Sequence, residues 1–519
     1  MRRLKSRIPC TGCGALEPGR AGLANLAKPA KDGRHRVTGS PDGGSMTDIL
    51  DQGAAAQLAA LRRGDLSCQD LMAATLERIE QRNGAVNAIV SLRERDALMA
   101  EARAADAAPG QGALHGLPMA IKDLANVTGL PTSMGSPILA GQIARKDDVF
   151  VARLRAAGAL FIGKTNTPEF GLGSHTFNPV HGVTGNAYDP AVSAGGSSGG
   201  AAVALACRMV ALADGSDMMG SLRNPAGWNN VYGLRPSWGR VPDAPEGETF
   251  LHPLATNGPM ARSPGDLALL LEVQSGPEPR RPFTLPDEPF LERLKTDVAG
   301  RRVAWLGDWG GAYPMEAGVL ALCEDALRDF VRLGVQVETI VPPFDAAEIW
   351  ASWRDLRAFA SANRLGPLLA NPDWRRQLKD TAIWEVETGQ SLSIEAVQAA
   401  SLTRSRWYAR AAELFETFDA LILPSAQVWP FAVQTEYPTE INGHAMDTYH
   451  RWMEVVVPAS LIGLPAVSVP AGFGVAGLPM GMQVIGRHGD DLGVLQLAEA
   501  WHQATDWPNR RPPVFKSST

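Results

Sequence analysis

The chain reads as an α/β protein with a large mixed, mostly parallel central sheet covered by helices on both faces. Three observations carry that reading. Residues 147–158 have the apolar spacing of a helix and run into the strand-like Ala159-Leu-Phe-Ile162. The same pair recurs as a helix over 316–333 and a strand over 335–340, and such alternation places helices on the faces of a sheet. With 519 residues, 45% of them hydrophobic and 20% charged, the chain is long enough to bury that sheet.

Residues 1–45 read as an extension, either disordered or lying upstream of the true start, because Met46-Thr-Asp opens directly onto a patterned helix. From Ile49 to Arg82 the apolar residues Leu58, Leu61, Leu66, Leu71, Ala74, Leu76 and Ile79 recur at three and four spacing, predicting two helices hinged at Gly64-Asp65. Residues 117–127 form a short apolar run broken by Lys122 and Asp123, the pattern of a buried strand with functional residues at its end. Strands are also expected at Arg302-Val-Ala-Trp-Leu306 and Ala420-Leu-Ile-Leu-Pro424. Between them, 345–418 is rich in Trp and Arg and reads as a mostly helical, variable cap on a catalytic domain spanning 46–513.

The formal net charge of −6 conceals an asymmetry: residues 1–45 hold nine Lys or Arg against three Asp or Glu, leaving −12 on the remainder. An acidic body with no basic stripe argues against a nucleic-acid partner and suits a small neutral or cationic substrate. Five scattered cysteines, at 10, 13, 68, 207 and 323, match no disulfide framework and point to a reducing cytoplasm. Cys10-Thr-Gly-Cys13 resembles half of a zinc site, but no second pair follows, so no metal is expected. The most apolar segment, 457–473, is interrupted by Pro458, Pro465 and Pro470, which excludes a membrane span there.

Two segments carry the chemistry. In Ser193-Ala-Gly-Gly-Ser-Ser-Gly-Gly-Ala-Ala-Val203, four glycines flank two serines before an Ala-rich helix; the density permits close backbone approach but lacks the Lys of a phosphate-binding loop. Such a loop is either a flexible connection or part of an active site. In Asp214-Gly-Ser-Asp-Met-Met-Gly-Ser-Leu-Arg-Asn-Pro225, Ser221 follows a glycine in a tight turn whose successive N–H groups are placed to converge on one oxygen, and Pro225 is expected to end any helix. His115, His175 and His181 lie near these segments without a partner pattern and are read as structural.

Taken together, Lys122, the 195–200 loop and the 214–225 turn resemble the amidase signature family, and the Ser197 to Ser221 spacing matches the family's. So do Gly163-Lys-Thr-Asn-Thr-Pro-Glu-Phe-Gly171, Tyr232-Gly-Leu-Arg-Pro-Ser237, Gly258-Pro-Met-Ala-Arg262, Gly463-Leu-Pro-Ala-Val-Ser-Val-Pro470 and Leu478-Pro-Met-Gly-Met-Gln-Val-Ile-Gly486. The resemblance runs from about Met46 to Pro513. It implies the amidase signature fold and hydrolysis of a small carboxamide through an acyl-enzyme, with no cofactor and a homodimer as one possible state. By position, Ser221 is the nucleophile, Ser197 the proton relay, held by a cis peptide after Gly196, and Lys122 the general base. The N–H groups of Met218, Met219, Gly220 and Ser221 would bind the oxyanion, Gly171 would position substrate, Asp217 and Arg223 would brace the turn, and Ser198 would join the network.

An ordinary lysine, with a pKa of about 10.4, is almost wholly protonated at neutral pH, so Lys122 needs burial among Met119, Ala120, Ile121 and Leu124 to act as a base. Two departures from the family pattern stand out. Ser216 takes the place of a usual threonine, a mild change. Met219 replaces the first of the two glycines the family usually places before the nucleophile, so its backbone is either ordinary or strained and its side chain is expected to narrow the acyl pocket. Two other readings compete: a glutaminase-type subunit of a tRNA-dependent amidotransferase, which keeps the two-glycine turn more closely, and a non-catalytic scaffold, opposed by the presence of all three catalytic positions.

Overall fold

The computed structural model describes residues 46–514 apart from 109, 111 and 244–247. The extension over 1–45, with Cys10 and Cys13, lies outside the described residues. An eight-stranded sheet runs in the order Gln336–Thr339, Arg302–Trp305, Ala420–Pro424, Pro479–Ile485, Ala466–Phe473, Tyr232–Arg235, Thr256–Ala261, Leu212–Asp217. The sheet is mixed, as expected, but its parallel share is smaller. Only the two pairings made by Arg302–Trp305 are parallel, and the other five are antiparallel. The reason lies in the connections. Helix–strand alternation over 302–339 makes the parallel edge, whereas Ala466–Phe473 and Pro479–Ile485 are adjacent in sequence and close as a hairpin.

Lys122 does not belong to this sheet. It ends the strand Pro118–Lys122, which pairs in parallel with Leu160–Thr165 and, through it, with Ile89–Val90. All five residues of the Lys122 strand are buried, so its sequence alternates nothing and reads as a continuous apolar run. The two sheets meet where the Lys122 N–H donates to Asp214 Oδ1 at 3.0 Å. That bond satisfies a donor at the small sheet's end.

The N-terminal helices are Ala54–Arg63, stopped by Gly64 at φ 76°, and Cys68–Val86, capped by Ser67 accepting from the Asp70 N–H. The segment after Phe344 folds into the helices Ala346–Leu369, Asp380–Ser391 and Ile394–Leu414, the first and last begun by Asp345 and Ser393 side chains that accept N–H groups three residues on. Trp353 and Trp407 from these helices, together with Trp309 and Trp452, are fully buried and fasten the cap to the body. No helix among the described residues is long and apolar enough to cross a membrane.

Candidate active site

The glycine-rich loop enters the helix Gly199–Ala206, and its glycines are demanded by contact. A Cβ on Gly200 would lie 2.3 Å from the Asn166 nitrogen, and one on Gly199 would lie 2.3 Å from Thr176 Oγ1. Ser174 Oγ donates to Gly196 O at 2.6 Å and Thr176 Oγ1 to Gly195 O at 2.7 Å, fixing the loop from below. The Gly196–Ser197 peptide is cis. Lys122 Nζ lies 2.8 Å from Ser197 Oγ, 2.8 Å from Ser198 Oγ and 3.0 Å from Ser216 Oγ.

Lys122 is 1% exposed, and burial pulls its pKa down to about 7 against the upward pull of Asp214 and Asp217, with Arg364 adding to the fall. Asp214 answers in the opposite sense: burial lifts it to about 6, opposed by the Lys122 backbone N–H and by Lys164. The burial of Lys122 agrees with the apolar composition of its strand. The hydroxyl of Ser216, visible in the sequence only as a substitution for threonine, is its third contact.

Ser221 sits in the turn after Leu212–Asp217 and is 7% exposed; its carbonyl accepts the Ser198 N–H at 3.2 Å, which ties the two serine segments together. Ser197, Ser216 and Ser221 line one cleft with Leu124, Phe170, Gly171, Leu172, Met218, Met219 and Met453. Gly171 has φ 72°, and a Cβ there would press against Leu124 Cδ1 at 2.8 Å, so the backbone lies open to the cleft beside Ser197. Gly220 has φ 78° and would bring a Cβ within 2.9 Å of Val456, so glycine is needed there on both counts. Met219 does not have a positive φ, so its backbone is ordinary there, and it is a buried residue of the cleft lining.

The turn is braced by Asp217, which accepts from the N–H groups of Gly220 at 2.8 Å and Leu222 at 3.1 Å, and from Arg223 Nε and Nη2 at 3.0 Å each. Arg235, from the Tyr232–Arg235 strand, donates to both the carbonyl and the carboxylate of Asp217. Burial works against the Asp217 charge, but the two guanidinium groups outweigh it and hold the carboxyl well below the usual range. The expectation for the oxyanion donors needs a correction at one position. The Gly220 N–H is committed to Asp217 and is not free for a substrate oxygen, whereas those of Met218, Met219 and Ser221 have no acceptor among the described residues. Pro225 also behaves differently, lying in the first turn of the helix Arg223–Trp228, where its missing N–H costs no bond.

From the cap, Arg357 reaches the cleft. Its Nε donates to Glu385 Oε1 at 2.6 Å, its Nη2 to Tyr449 OH at 2.7 Å, and its Nη1 lies 3.7 Å from Met218 Sδ. Arg364 lines the same cleft. Among the described residues the cleft lining contains these two arginines and no carboxylate, so the expectation of a cationic substrate finds no support in them. Arg357, Arg364 and Met453 escape a reading of the sequence, since they lie more than a hundred residues beyond the 214–225 turn and carry no signature of their own.

The histidines near the motifs are structural. His175 Nδ1 meets Ser193 Oγ at 2.7 Å and its Nε2 meets Val433 O at 3.0 Å, His115 Nε2 accepts the Gly110 N–H, and His181 Nε2 lies 3.3 Å from Ser133 Oγ. None lines the cleft.

Comparison with known proteins agrees with this arrangement. The Amidase family model matches residues 70–495. The chain is 33% identical to an acylamidase of Rhodococcus erythropolis over 88% of its length and 95% of that protein. It is 32% identical to a glutamyl-tRNA(Gln) amidotransferase subunit from Thioalkalivibrio sulfidiphilus, over 88% of its length and 98% of that protein. Its fold superposes on a bacterial aryl acylamidase with a TM-score of 0.81 at 28% identity, covering 89% of this chain and 99% of the other. The chain therefore belongs to the amidase signature family and is an amide-hydrolysing enzyme.

Proposed function

We propose that the enzyme hydrolyses a small carboxamide to a carboxylic acid and ammonia or an amine through a serine acyl-enzyme. Lys122 takes the proton of Ser197, Ser197 takes that of Ser221, and Ser221 Oγ attacks the amide carbonyl. The oxyanion is met by the N–H groups of Met218, Met219 and Ser221, the relay returns the proton to the leaving nitrogen, and water repeats the sequence on the ester. The observation that carries the reading is Lys122 Nζ at 2.8 Å from Ser197 Oγ with its pKa brought to about 7. Roughly half of such a group is free amine at neutral pH, against about one in 2,500 for an ordinary lysine.

Identity to the amidotransferase relatives nearly equals that to the acylamidase, so a glutaminase role within a larger complex is the second reading. Assay of the purified chain alone on a panel of simple carboxamides separates them. Turnover without partner proteins supports the independent amidase. Ser221→Ala and Lys122→Ala should each lose more than about a thousandfold in kcat with the fold retained, and Ser197→Ala somewhat less, because residues acting as one unit fail together. Wild-type turnover in either of the first two variants would overturn the mechanism.

A further inference from the structure

A second cavity, of about 440 Å³, lies outside the catalytic cleft and shares no lining residue with it. Its walls include Trp238, Phe283 and Tyr408, with Arg404, Ser405 and His488 among its polar lining. Trp238 and Phe283 pack at 5.7 Å between ring centroids, and Phe250 meets Phe283 edge-on at 6.3 Å. These rings are not buried as their size would favour: Phe283 is 62% exposed, Phe250 65% and Tyr408 45%. Phe283 is moreover at φ 61°, a conformation bulky side chains rarely adopt.

The cavity's charge is unbalanced. Arg404 has no ion pair among the described residues; its Nη2 reaches Ser401 Oγ at 3.4 Å, and its Nη1 is buried without an acceptor. Burial lowers its pKa, and among the described residues no carboxylate opposes it. A guanidinium that gives up water without receiving a counter-charge is costly, and an anion entering the cavity would remove that cost. Other buried arginines have partners: Arg223 and Arg235 share Asp217, Arg240 has Asp491, Arg357 has Glu385, and Arg262 is held by backbone carbonyls.

We propose that this cavity binds a small carboxylate with an apolar, ring-sized body, its anion on the Arg404 guanidinium and its body between Trp238, Phe283 and Tyr408. The aromatic walls supply apolar area, and the planar, multi-donor guanidinium supplies the geometry a carboxylate needs. The inference does not depend on the mechanism assigned to the catalytic cleft.

Phenylacetate, which has no amide bond to cleave, is titrated calorimetrically into the full-length wild-type enzyme beside its neutral counterpart 2-phenylethanol. Wild type is expected to bind the acid at least about tenfold more tightly than the alcohol, in keeping with a charge-assisted bond. Arg404→Gln should erase that preference, and Phe283→Ala, a change at an exposed ring, should weaken both ligands. The kcat/KM for a small amide should stay at the wild-type value in both variants. The proposal is overturned if Arg404→Gln keeps wild-type affinity for phenylacetate, which would place the anion elsewhere, or if the alcohol binds as tightly as the acid. It is equally overturned if wild type shows no binding at millimolar phenylacetate.

Discussion

Two buried arginine–carboxylate clusters converge on the cleft, and they are built on opposite plans. Asp217, Arg223 and Arg235 lie within one stretch of chain, six and eighteen residues apart, and close upon the turn that carries Ser221. Arg357, Glu385 and Tyr449 join the cap helices Ala346–Leu369 and Asp380–Ser391 to a segment 92 residues beyond Arg357. The first cluster fixes local backbone: Asp217 commits its carboxylate to two N–H groups of the turn that carries Ser221. The second fixes the distance between distant elements and touches the turn only through Met218 Sδ. Damage to the first should therefore appear in the chemical step, and damage to the second in stability and substrate binding.

The sharpest test is Asp217→Asn, which leaves Arg223 and Arg235 buried without a charge partner. A loss of about 3–5 kcal/mol in stability is expected, together with a fall in kcat of at least about a hundredfold as the N–H groups of the turn lose their anchor. Denaturant unfolding and steady-state kinetics measure the two; unchanged kcat in a folded variant would show that the turn holds itself. Arg357→Met should cost about 3 kcal/mol by stranding Glu385, raise KM more than it lowers kcat, and recover most of the stability in the Arg357→Met/Glu385→Met double variant. A fall in kcat matching that of Asp217→Asn would erase the distinction between the clusters.

Met219→Gly probes the wall between them. If the Met219 side chain forms part of the acyl wall, the variant should improve kcat/KM for bulky acyl groups by about 1–3 kcal/mol while changing small amides little. An equal fall in kcat for every acyl size would assign Met219 to the oxyanion strip instead.

The smallest effect concerns pH. Lys122 releases its proton near pH 7 when folded but only near 10.5 when unfolded, so the unfolded chain binds more protons across that window and stability rises with pH through it. Below pH 7 the cost of burying the ammonium is present in full. Lys122→Met removes this dependence, so the variant's Tm advantage should be greater at pH 6 than at pH 9 by roughly one to three degrees. In the wild type, kcat/KM should climb through a limb centred near pH 7.

What can be read from the sequence follows the same division. Ser197 and Ser221 stand out because glycine-rich segments leave a dense local signature, and Gly200 and Gly220 show why, each standing where a Cβ has no room, whereas Lys122 stands out as the lone cation in an apolar run. The cap is legible as helices, but Arg357 and Arg364 look like any other helical arginines until packing brings them to the cleft. The commitment of the Gly220 N–H to Asp217 is invisible for a different reason: a motif records which donors exist and not which are already engaged. The placement of Lys122 in a separate small sheet is hidden too, because a buried apolar strand reads alike in either sheet.

The crowding of oxygens around Lys122 Nζ has a directional consequence. Three hydroxyls and, at 3.4 Å, the Ser216 carbonyl face one nitrogen. As a free amine that nitrogen carries two hydrogens and one lone pair. If Ser198 and Ser216 accept the two hydrogens, the lone pair is left pointing at Ser197, whose hydroxyl then has to donate. In the mechanism proposed above, the two flanking serines would act as a compass for the base: they would take no part in bond making, yet would decide which hydroxyl it can deprotonate.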